Sequence, residues 1–153
     1  MKLRVRRIAQ GAKLPVYQHP GDAGMDLFAA QEVSLAPGEV KAVPTGIKMA
    51  VPDGYVGLIW DKSGLSLQGV HRLAGVVDAG YRSEVKVVMA NLGKKPFVFK
   101  PGQKVAQMLI QPVEAVKVVD VCKGDLDETT RGSRDTMGSL SHVPVKESAC
   151  NLG

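Results

Sequence analysis

Four turn signals set the grain of this chain. Pro37-Gly38, Pro44-Thr45-Gly46, Pro52-Asp53-Gly54 and Pro101-Gly102 each join a residue with a fixed φ to one that tolerates positive φ. Among them lie short apolar runs: Val40–Val43, Ile47–Val51, Tyr55–Trp60, Gly75–Val77, Val85–Ala90, Phe97–Phe99 and Val105–Ile110. Runs this short, punctuated this often, are strands rather than helices, and they predict an all-β sandwich, jelly roll or barrel. Valine dominates the apolar set, as a pleated surface favours. Ile47-Lys48-Met49-Ala50-Val51 alternates with one apolar face, whereas in Val105-Ala106-Gln107-Met108-Leu109 the polar Gln107 interrupts that face. Lys2, Arg4, Arg6 and Arg7 alternate with Leu3 and Val5 and read as the solvent side of a first strand. Ser63–Gln68 has room for one helical turn.

With 153 residues, 44% of them hydrophobic, the chain can bury one core. That core is expected within residues 1–122. From Lys123 the sequence KGDLDETTRGSRDTMGSLSH is polar, Gly/Ser-rich and without periodicity. Residues 123–142 are therefore expected to form a flexible C-terminal arm, and 143–153, with His142 before them and Cys150 within them, a disordered tail.

Composition also excludes. The net charge of +5 favours anionic ligands without naming one. No basic run is interleaved with aromatics, so no nucleic-acid track is expected. No apolar run approaches membrane-spanning length, and the N-terminus has no leader-like apolar region. Cys122 and Cys150 match no metal or redox spacing, and His19, His71 and His142 stand singly, so no protein metal cage is expected. A cytoplasmic protein with reduced thiols is the expectation.

The residues able to carry chemistry are few. Asp78 follows the apolar Gly75-Val76-Val77, with Tyr81 three positions on and Val85–Ala90 beyond; a hairpin there would hold Asp78 and Tyr81 together at its mouth. Asp26 is a second carboxylate in a small-residue stretch. Lys62-Ser63-Gly64 offers a cation, a hydroxyl and amides to an anion. Gln107 is a neutral polar group in an apolar run, and Arg131 opens the arm ahead of Met137-Gly138-Ser139. Alone, each has a plain reading as a turn residue, a cap or a solvated charge.

Their order is more telling. AGMDLFAA at 23–30, DKSGLS at 61–66, GVVDAGYRSEV at 75–85, PGQKVAQM at 101–108 and RGSRDTMGS at 131–139 resemble, in sequence, the five motifs of the trimeric dUTP diphosphatases (dUTPases), the last of them divergent. The resemblance implies a β-clip jelly roll assembled as a homotrimer, with active sites at subunit contacts and the C-terminal arm closing over them as a lid. It implies hydrolysis of dUTP to dUMP and pyrophosphate, with Mg2+ as cofactor. Asp78 would orient and deprotonate the attacking water. Ordinary aspartates, with a pKa of about 3.9, are weak bases at neutral pH, so rate would come from positioning and charge stabilisation. By the same resemblance Asp26 reaches the magnesium through water, since that ion prefers phosphate oxygens and water to a protein cage. Lys62, Ser63, Gly64 and Gln107 would hold the phosphates, and Arg131 the terminal one. Gly75, Val76, Val77 and Lys86 would surround the nucleoside, with uracil read by backbone groups. Tyr81 would pack on C2′ and exclude a ribose hydroxyl, and Met137, Gly138 and Ser139 would cover the base.

The chain departs from the family pattern in two places. Lys62 stands where Arg is usual, keeping the charge but losing the planar fork, and Trp60-Asp61 replaces an apolar residue and proline. In the arm, Arg134 and Asp135 occupy a Gly-rich region and Met137 takes an aromatic place, giving dispersion without a π face. Two other functions share the fold. A dCTP deaminase would need a glutamate where Val88 stands, and valine cannot shuttle a proton. A trimeric nucleotide-binding protein without catalysis would fit the divergent arm and Lys62, but the intact Asp26, Ser63, Asp78, Tyr81 and Gln107 oppose it.

Overall fold

The computed structural model describes residues 1–121. Its compact unit is Met1–Ala115; a second unit is Val116–Gly153, of which residues 116–121 form no regular element. The compact unit is almost entirely β. The strands are β1 (Arg4–Arg7), β2 (Met25–Phe28), β3 (Val33–Leu35), β4 (Val40–Pro44), β5 (Ile47–Ala50), β6 (Tyr55–Trp60), β7 (Val70–Leu73), β8 (Val76–Val77), β9 (Lys86–Asn91), β10 (Phe97–Phe99) and β11 (Lys104–Pro112). A single helical turn, α1 (Ser63–Ser66), lies between β6 and β7. Among the described residues no helix is long and apolar enough to cross a membrane.

All seven apolar runs are strands, and the Arg4–Arg7 alternation is β1. Three strands have no clear signature in the sequence. β2 is buried along its whole length and holds a carboxylate, β3 has three residues, and β7 carries His71 and Arg72 in its middle. Each departs from the period-2 apolar pattern for a local reason.

Four sheets share one core. Their strand orders are β2-β11-β6-β8, β4-β9-β7, β1-β5 and β10-β3, with all pairs antiparallel. The buried cluster draws Leu27, Ile59, Val77 and Met108 from the first sheet and Val43, Val70, Val87 and Met89 from the second. Ile47 and Met49 come from the third sheet, Leu35 and Phe99 from the fourth. This is the jelly-roll-like architecture that the turn spacing predicts.

The expected hairpin between Val76–Val77 and Val85–Ala90 is not formed. β8 pairs with β6, Gly57 facing Val77 and Leu58 facing Val76. β9 lies between β4 and β7, with both edges taken by longer ladders than two residues could supply. Residues 78–85 therefore cross from one sheet to another.

β11 carries an irregularity that matters for the site. Gln107 faces Asp26 of β2 on one side and Trp60 of β6 on the other. Between Lys104 and Ala106 the register slips by one residue, so Lys104 faces Phe28 while Ala106 faces Leu27. A bulge re-aims the side chains beyond it. Val105 and Ala106 both enter the core, and Lys104 turns to the side that Asp26 and Gln107 share. Gln107 thus does not interrupt the apolar face: Ala106 and Met108 line the core while Gln107 points away from it.

Candidate active site

Asp26 is the electrostatic centre of a cleft. Its backbone N–H donates to Val16 O at 2.8 Å, and the residue is 2% exposed. Lys62 Nζ donates to Oδ1 at 2.6 Å, and Lys104 Nζ lies 2.7 Å from Oδ2 without hydrogen-bond alignment. Burial pushes the Asp26 carboxyl upward, but the ammonium groups of Lys104 and Lys62 outweigh it, and its pKa lies below the ordinary carboxylate value. Asp22 and Asp61 line the same cleft, so its cations do not outnumber its carboxylates, and the Lys62 and Lys104 ammonium groups are what it offers to an anion.

The cleft beside it, about 640 Å³, is lined by His19, Asp22, Trp60, Lys62, Lys104 and Gln107 among others. Gln107 Nε2 donates to Asp61 O at 2.9 Å, which leaves its second N–H free. Ser63 and Gly64 open α1 on the exposed side of the chain. The first N–H groups of a helical turn have no partner within it, and nothing lies within 4 Å of the Cα hydrogen direction of Gly64.

Asp61 fastens this loop. Its Oδ1 accepts the Arg72 N–H at 2.8 Å, and its Oδ2 lies 2.8 Å from His71 Nδ1. The end of β6 is thereby tied to β7 on the far side of α1. The Arg72 guanidinium stacks over Trp60 at 5.0 Å. The sequence marks Asp61 only as a departure from the family pattern and gives Lys104 no signal of its own. Lys104 stands three positions from Gln107, which in a regular strand puts the two on opposite faces. Only the bulge unites them.

A second, smaller cavity of about 150 Å³ is lined by Gly75, Val76, Val77, Tyr81, Lys86 and Val88, with Ile59 behind them. It shares no lining residue with the lysine cleft. Gly75 is obligatory here: its φ is +140°, and a Cβ would stand 2.8 Å from Ile59 O. Its own carbonyl accepts the Ile59 N–H at 2.8 Å, fixing the wall. Asp78 directly follows Val77 and is exposed, and its carbonyl accepts the Tyr81 N–H at 3.0 Å. Val88, half-buried, presents an apolar side chain to the cavity.

Of the residues expected to act together, the structure therefore gathers Asp26, Lys62 and Gln107 with Lys104 around one cleft. It gathers Gly75, Val76, Val77, Tyr81 and Lys86 around another, with Asp78 at its edge. Arg131, Met137, Gly138 and Ser139 lie outside the described residues. So do Cys122, the arm at 123–142 and the tail at 143–153.

Comparison with known proteins gives these cavities a context. The dUTPase family model matches residues 10–139. A deoxyuridine 5′-triphosphate nucleotidohydrolase of Clostridium kluyveri is 46% identical over 135 residues, covering 86% of this chain and 93% of its own. One of Mycobacterium sp. (strain JLS) is 44% identical over 150 residues, covering 94% of this chain and 97% of its own. Among solved structures, a mutant dUTPase from phage phi11 of S. aureus, described with a structural Mg(II) ion, superposes with a TM-score of 0.76 at 25% identity. It covers 82% of this chain and all of its own. These relations place the chain among the β-rich hydrolases of nucleotide metabolism. It belongs to the dUTPase family.

Proposed function

We propose that the protein hydrolyses dUTP to dUMP and pyrophosphate in sites shared within a homotrimer. The observation that carries this reading is the division of the site residues between two cavities of one chain. The glycine-walled cavity is assigned the nucleoside and the lysine cleft the triphosphate, and no residue lines both. A complete site then needs the cavity of one copy to face the cleft of another.

Asp78, exposed at the lip of the small cavity, accepts a proton from a water that attacks the α-phosphorus. A P–O bond forms to the water oxygen, the bond from the α-phosphorus to the bridging oxygen breaks, and pyrophosphate leaves. Lys62, Gln107 and the amides at Ser63 and Gly64 hold the phosphates and stabilise the charge that moves onto the leaving group. Arg131 grips the terminal phosphate, and Met137, Gly138 and Ser139 cover the base. Tyr81 lies against C2′, and Gly75, Val76, Val77 and Lys86 wall the nucleoside.

The residues present fit magnesium in an outer role. Asp26 is a carboxylate beside the lysine cleft, and it could accept from a water on the ion once Lys62 or Lys104 turns to the phosphates. No group of three His, Cys, Asp or Glu that could cage a metal occurs among the described residues. The ion would take its inner ligands from the triphosphate and water, and when bound it draws charge from the phosphate oxygens. Such an enzyme, in the cytoplasm, supplies dUMP for thymidylate synthesis and limits uracil in DNA.

Val88 speaks against deamination of dCTP, because the cavity presents an apolar wall where that reaction needs a proton carrier. The test uses purified protein with magnesium and each deoxynucleoside triphosphate, measuring pyrophosphate and ammonia. Pyrophosphate from dUTP alone is expected. Asp78→Asn should reduce that turnover by about 10²-fold or more with thermal unfolding unchanged, since the carboxylate is exposed. Ammonia from dCTP, or a D78N variant as fast as the parent, would overturn the reading.

A further inference from the structure

Tyr81 is 40% exposed and stands on a segment that crosses between sheets. A steric gate on such a segment discriminates only if it cannot step aside, and an exposed loop side chain ordinarily changes rotamer within nanoseconds. Something must therefore hold it. Within the loop, the Tyr81 hydroxyl donates to Glu84 O at 2.8 Å. The Arg82 guanidinium folds back onto the carbonyls of Ala79 and Tyr81. These bonds tie the loop to itself. They do not tie it to the body.

The anchorage comes from the Pro44–Gly46 turn. The Gly46 N–H donates to Glu84 Oε1 at 2.9 Å. The Thr45 hydroxyl, in a residue 1% exposed, donates to Val85 O at 2.5 Å, and the Val85 N–H donates to Ile47 O at 2.9 Å. The turn itself has no slack. Gly46 has φ +68°, and a Cβ there would lie 2.8–2.9 Å from the methyls of Ala12, Ala30 and Ala9. The second Glu84 oxygen lies 3.7 Å from Nζ of Lys86, which lines the same cavity as Tyr81.

We infer that Glu84 and Thr45 are positioning residues that brace Tyr81 against the Pro44–Gly46 turn and so set the discrimination between 2′-deoxy and 2′-hydroxy nucleotides. This rests on the reading of Tyr81 as the wall at C2′. Neither residue lines the cavity, so neither touches substrate. Their effect is to fix the acceptor: the ring can retreat only by breaking its own bond to Glu84 O, and the carbonyl cannot follow it without breaking the bonds that hold residues 84 and 85.

The test compares kcat/KM for dUTP and UTP in the parent, Glu84→Ala, Glu84→Gln, Thr45→Val and Tyr81→Ala. Glu84→Ala should lower the dUTP:UTP ratio by about tenfold, chiefly by raising the value for UTP. Glu84→Gln, whose amide oxygen still accepts from the Gly46 N–H, should stay within about twofold of the parent. Thr45→Val should shift the ratio in the same direction as Glu84→Ala, and it carries the test if the alanine variant does not fold. An unchanged ratio in folded Glu84→Ala or Thr45→Val, or an equal loss for both nucleotides, overturns the brace if Tyr81→Ala does lower the ratio. A Tyr81→Ala variant with the parent's ratio would instead overturn the reading of Tyr81 itself.

Discussion

Asp26 and Lys104 meet at 2.7 Å because β11 holds one residue more than the strand it faces. In an unbroken ladder Lys104 would point to the side opposite Gln107. The bulge at Val105 brings it across, and Asp26 then holds two cations at once.

That pairing has a measurable sign. The folded pKa of Asp26 is depressed, so its contribution to stability is complete above the unfolded value of about 3.9 and is lost as pH falls through the folded one. Asp26→Asn should cost about 1–3 kcal/mol at pH 7 in urea unfolding. Its stability should also fall less steeply than the parent's below about pH 4. Parallel curves for the two proteins would mean the carboxylate is no better placed in the fold than in the unfolded chain.

Lys62 donates to Asp26, and on the proposed reading it turns one or more of its three N–H groups to a phosphate. Lys104 can keep the carboxylate paired while it does so. Lys62→Ala should raise KM for dUTP about tenfold and lower kcat less, as expected for a charge-assisted contact made in both ground and transition states. An unaltered dependence of rate on substrate concentration would remove Lys62 from phosphate binding.

Gly75 admits no side chain. Gly75→Ala combines a φ of +140° with a Cβ 2.8 Å from Ile59 O, and should destabilise by about 1–3 kcal/mol while distorting the wall of the small cavity. Calorimetry and KM for dUTP should move together. A variant as stable as the parent would show that this backbone is not constrained.

The arm is tested by removal. If residues 123–142 act as the expected lid, deleting residues 128–153 should lower turnover by about a hundredfold, since a lid orders the phosphates and excludes water, while the unfolding temperature of the β core stays near the parent's. Full activity in the shortened protein would show that Arg131 and the Met137–Ser139 stretch have no part in the reaction.

The chain's own sequence determined the fold class and named most of the candidate site residues. Turn residues and valine-rich runs are local signals, and all seven runs are strands because period and punctuation act within a few residues. Four of the five motif-like stretches name Asp26, Lys62, Asp78, Tyr81 and Gln107 without reference to their partners. What the tertiary structure decided depends on residues far apart in the chain. β8 pairs with β6 rather than with β9, both of whose edges are bonded to β4 and β7. Lys104 joined Asp26 because of a register slip that leaves no mark on hydropathy. Glu84 reached Gly46 across 38 positions. Side-chain periodicity records which face of a strand is apolar. Strand order, bulges and braces follow from which edges remain free to bond, and that is settled only when the whole chain has packed.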